Sequence, residues 1–174
     1  MLKGRKYMSK CNIAFLAAAI AISATPVLAK HSDPAGDKAM HDYVLTMPKV
    51  KAYDAATNAL MAAAKANPSL KAEGEAMNKE PDKTFADLKA KIAHHPHYYA
   101  FFSKQGLSVD DTVLVPITLL SACSVVQYPQ IAASMADTVS PSQITFCKQN
   151  MAQLKAMKFF SGGGDSGNSD DSDQ

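Results

Sequence analysis

From Thr46 onward the apolar positions recur at helical intervals rather than in strand alternation. After Thr46 as a candidate N-cap, Val50, Tyr53, Leu60, Met61 and Ala64 share one face, while Lys49, Lys51, Asp54 and Lys65 lie mostly away from it. This predicts a helix ending near Asn67-Pro68. A shorter helix is expected over Leu70 to Met77, interrupted by Gly74. Thr84 stands three residues before Asp87, an approximate capping box that opens "FADLKAKIA", and Phe85, Leu88 and Ile92 make its apolar stripe.

The stretch "IAHHPHYYAFF" then places His94 and His95 in the last turn of that helix. Pro96 forbids regular continuation, and "HYYAFFSKQ" reads as a following helix closed by Gly106 at C′. Ser108 and Asp111 form a second capping box ahead of "DTVLVPITLLSACSVVQ", which is apolar on nearly every face. The fifteen residues Thr112 to Val126 carry no charge. That run is read as too short to span a membrane and too uniform for a surface helix, so it is expected to be a central, buried helix kinked around Pro116. A short helix after Pro129 leads to Ser140 as N-cap, Pro141 at the first helical position and Gln143 closing a third box. Ile144, Cys147, Met151 and Leu154 follow on one face of a last helix expected to end near Phe160.

Proline and glycine agree with this division. Prolines at 34, 48, 68, 81, 96, 116, 129 and 141 cut the chain into helix-sized intervals, and Gly74 and Gly106 are the only glycines between Lys38 and Ser161. Tight hairpins and a glycine-rich phosphate loop are thereby disfavoured. The expected fold class is all-α, a five- or six-helix bundle over residues 46–161, preceded by an extended segment over 30–45.

The two ends read differently. Lys3, Arg5, Lys6 and Lys10, the apolar core Ile13 to Ile22, and Val27 and Ala29 ahead of a cut describe a secretory signal peptide over residues 1–29. Export to the periplasm or beyond follows as the expectation. Residues 162–174, "GGGDSGNSDDSDQ", hold no apolar side chain and are expected to be a disordered acidic tail rather than a calcium loop.

Cleavage changes the electrostatics, because the only arginine leaves with the signal. From Lys30 the chain carries 14 Lys against 16 Asp and Glu, a net charge of −2. Without arginine forks or lysine runs, nucleic acid and anionic membrane surfaces are unsuited partners. No transmembrane segment is expected in the mature chain.

The strings "YVLTMPKV", "HPHYYAFFSKQGLSVDD" and "ITFCKQN" resemble a group of small, secreted bacterial proteins that carry no assigned function, over Tyr43 to Leu154. The resemblance implies an all-helical exported domain and supplies no active residues.

The chemistry on offer is narrow. No nucleophile elbow, Ser-x-x-Lys, His-Glu-x-x-His or haem-attachment motif is present. Asp110 and Asp111 are adjacent carboxylates, but Asp111 already has a capping role. His94, His95 and His97 are candidate ligands for zinc, copper or nickel, with His41, Met40 or Asp42 available as a fourth donor. Adjacent histidines point about 100° apart on a helix, which favours weak, non-selective binding of divalent ions. Cys123 and Cys147 are the two cysteines left after cleavage, in an oxidising compartment, and both face inward; a structural disulfide is expected. No cofactor is expected. The reading is a non-enzymatic binding or accessory protein of the cell envelope, taking a small apolar ligand or an envelope protein. The alternatives are metal handling through the histidines and an enzyme of unrecognised type.

Overall fold

The computed structural model of the chain describes residues 33–79 and 82–157. The expected signal peptide over residues 1–29, the expected acidic tail over 162–174 and the expected helix end near Phe160 lie outside the described residues. Those residues form α1 (Pro34–Asp42), α2 (Met47–Ala66), α3 (Pro68–Lys79), α4 (Phe85–His94), α5 (Pro96–Ser103), α6 (Val109–Gln127), a 3₁₀ helix (Pro129–Met135) and α7 (Pro141–Lys155), with no strand among them. The domain is all-α.

Helix starts follow from capping chemistry. At α4, Asp87 N donates to Thr84 Oγ1 at 3.1 Å and Thr84 N donates back to Asp87 Oδ2 at 3.1 Å. At α6, Asp111 N donates to Ser108 Oγ at 3.0 Å, and Ser108 N donates to Asp111 Oδ2 at 3.1 Å. Each box satisfies two amide groups that a helix start otherwise leaves without partners. The stop of α5 is equally local. Gly106 has φ of 78°, a left-handed conformation that suits glycine. Around it Gly106 N donates to Ser103 O at 2.9 Å and Leu107 N to Phe102 O at 3.2 Å, a Schellman closure.

The segment 30–45 departs from its extended reading, since α1 occupies most of it. Asp33 explains the helix: its Oδ1 accepts from Gly36 N at 3.1 Å, and its Oδ2 accepts from Phe85 N at 2.6 Å. One carboxylate therefore caps α1 and also fixes it to the start of α4. Neither the 52-residue separation nor a glycine in the first turn is a helix signal in sequence. Gly36 is required by the same geometry. A Cβ there would lie 2.5 Å from Asp33 Oδ2 and 3.0 Å from Phe85 Cβ. Relief would have to break the bond to Phe85, so Gly36→Ala is expected to lower stability by about 1–3 kcal/mol, measured by urea denaturation. An unchanged midpoint would show that Asp33 is free to move.

The core lies around α6, as the uncharged run indicates. Thr112 to Leu119, Ala122, Cys123 and Val125 are all buried, and α6 packs against α7, α4, α2 and α1. By length and composition this 19-residue helix, longer than the uncharged run it contains, is long and apolar enough to cross a membrane. In this fold 61% of its apolar window is buried inside the protein, as befits the core helix of a bundle. Tyr53 of α2 and Tyr98 of α5 meet Phe102 with ring centroids 5.3 and 5.5 Å away. The Tyr53–Phe102 contact binds α5 to α2 beyond the area it buries, while Tyr98 and Phe102 stack within α5.

Candidate functional site

Two inward-facing constellations stand out, one of sulfur and one of oxygen and nitrogen. Cys123 on α6 and Cys147 on α7 are 2% and 0% exposed, and their sulfurs are 2.9 Å apart. Both are free thiols in this structure. The separation is closer than sulfur van der Waals contact and longer than the roughly 2.05 Å of a bonded pair. The contact with Cys123, reinforced by burial, raises the Cys147 thiol above the ordinary range and keeps it protonated. The helical stripe of α7 read from sequence is what carries Cys147 inward.

The second constellation gathers on Asp111. Tyr43 Oη donates to its Oδ1 at 2.6 Å, and Lys49 Nζ approaches the same oxygen at 2.7 Å. Ser108 Oγ donates to Oδ2 at 2.8 Å. Lys49 also sits 4.8 Å from the centroid of the Tyr43 ring. Burial opposes ionisation of Asp111, but the bonds from Lys49, Tyr43 and Ser108 outweigh it and hold the carboxyl well below the usual range. Burial and the bond to Asp111 together push Tyr43 up. A carboxylate so firmly ionised accepts hydrogen bonds; it does not exchange protons near neutral pH, as a general acid or base must. The node instead joins the α1–α2 linker, α2 and the start of α6.

Gln143 was legible only as a capping residue. Its Oε1 does accept from Ser140 N at 2.9 Å. Its amide nitrogen reaches across the fold, donating to Met40 O at 2.7 Å, His41 O at 3.2 Å and Tyr43 O at 2.7 Å. These are carbonyls at and just beyond the end of α1; of the three, Met40 O also accepts from Tyr43 N at 3.3 Å. The side chain is almost fully buried, 1% exposed.

The histidines do not converge as a metal site would require. His94 and His97 are exposed, whereas His95 is turned inward, with Nδ1 3.4 Å from Glu73 Oε1 of α3. His41 Nδ1 lies 3.1 Å from Asp42 Oδ1 on α1. Among the described residues no three His, Cys, Asp or Glu side chains gather closely enough to hold a metal ion. The physical reason is the junction at Pro96. It starts a new helix, so the three residues project from two helix ends rather than from one face.

A depression of about 590 Å³ lies between α1 and the end of the 3₁₀ helix. It is open, and Asp37, Lys38, His41, Asp42 and Asp137 line it. Burial, together with the charges of Asp33 and Asp137, raises the Asp37 pKa. Such a surface does not offer an apolar ligand an enclosed, dry chamber. No family model, no curated protein and no solved structure matches the chain.

Proposed function

We propose that this chain is an exported, non-enzymatic accessory protein of the bacterial cell envelope that acts by binding another envelope protein through its surface. The observation that carries the reading is the use made of the interior polar groups. Asp33, Asp111 and Gln143 each hold two or more segments together, and the bonds they make leave little chemistry to perform. The charged, open depression fits a macromolecular partner better than a small apolar molecule.

Export is supported by the signal-like residues 1–29 and by the resemblance to small secreted proteins. The cysteines support it further. Two thiols 2.9 Å apart lie within a modest side-chain rotation of disulfide geometry, the state an oxidising compartment favours. Native mass spectrometry of protein taken from the periplasm of its own cell tests the whole reading. The expected species begins at Lys30, is two hydrogens lighter than the dithiol, and retains neither metal nor a lipid-sized molecule. Retention of residues 1–29 would overturn export, and a stoichiometric metal or small ligand would overturn the accessory role.

A further inference from the structure

Helix α7 is fastened at two places with different chemistry. Near its start Gln143 binds the end of α1, and one turn later Cys147 meets Cys123 on α6. Both sulfurs are sealed from solvent, at 0% and 2% exposure. A reagent as bulky as another protein cannot reach either sulfur while α7 is docked. Thiol–disulfide exchange needs a thiolate in line with the sulfur it attacks, and neither sulfur offers that approach in the closed bundle.

We infer that Cys123 and Cys147 are joined before α7 docks, by exchange with an oxidised dithiol protein, and that the buried bond then straps α7 over α6 and, through Gln143, holds the end of α1. This rests on the disulfide proposed above. In the exchange, one cysteine thiolate attacks the oxidant's disulfide, giving a mixed disulfide and one oxidant thiolate. The second cysteine thiolate then attacks the sulfur of the first, closing the Cys123–Cys147 bond and expelling the oxidant's other thiolate. Two electrons pass to the oxidant, and the two protons released by the cysteines complete its dithiol.

The test uses the full mature chain in its oxidised form. With a small-molecule thiol reductant, reduction of the folded protein is expected to be at least ~1000-fold slower than reduction of the denatured protein, because it waits on rare opening of the bundle. Hydrogen exchange of the reduced protein against the oxidised one is then expected to rise in α7 and over Met40–Tyr43 while α2 keeps its protection. Equal reduction rates in folded and denatured protein would overturn burial of the bond. Exchange that rises uniformly, or in neither segment, would overturn the strap. Two free thiols in denatured, unreduced periplasmic protein would instead overturn the disulfide itself, a result distinct from the other failures.

Discussion

Replacing Gln143 with alanine is expected to lower stability by about 3 kcal/mol and the melting temperature by roughly 10 °C. The side chain is buried and serves Ser140 N, Met40 O and Tyr43 O at 2.7–2.9 Å, with His41 O at 3.2 Å. Removing it takes the side-chain partner from Ser140 N, His41 O and Tyr43 O at the meeting of α1 and α7, while Met40 O keeps only its bond from Tyr43 N, and a buried group left unpaired costs more than an average bond contributes. Two further variants separate volume from bonding. Gln143→Leu restores most of the volume and is expected to recover little of the loss. Gln143→Glu keeps an acceptor for Ser140 but turns a carboxylate toward three carbonyl oxygens. It is expected to be the worst of the three at neutral pH and to improve on acidification, as protonation restores a donor. Thermal melts followed by circular dichroism check the order, and a stable leucine variant would show that the amide is dispensable.

The second large effect is at Asp111, where Asp111→Asn is expected to cost about 2 kcal/mol at pH 7. Its direction with pH follows from the depressed pKa. The folded protein holds the ionised form more strongly than the unfolded chain does, so the stabilisation is fully present above the unfolded value of 3.8. It is lost progressively as pH falls below that value toward the folded pKa. The gap between wild type and Asp111→Asn should therefore be constant from pH 7 to 5 and shrink between pH 4 and 2. Urea midpoints across that range measure it; a gap that widens in acid would contradict the assignment of Lys49, Tyr43 and Ser108 as partners of the carboxylate.

Helix starts and stops were legible because they are local. Thr84 with Asp87, Ser108 with Asp111, and Gly106 each act within a few residues, and their chemistry appears in the structure as read. The buried character of α6 was legible from its lack of charge, and the inward stripe of α7 from its spacing. Helix α1 was not read although Asp33 before Pro34 is a local start signal, and the partners that fix the helix in place, Phe85 and Gln143, lie far along the chain. The histidine cluster is the converse case, close in sequence. Adjacent histidines were expected to diverge, and a proline-separated pair of helix ends sends His95 toward Glu73 and leaves its neighbours at the surface.

The tethers of the α1 region also have a direction in time. Asp33 waits for Phe85, 52 residues on; Tyr43 for Asp111, 68 residues on; and Met40 for Gln143, 103 residues on. A ribosome makes α1 before all of these partners, and the partners in that order. The earliest-made of the described helices therefore waits longest, and its final attachment is set only once Gln143 has followed Met40 by 103 residues.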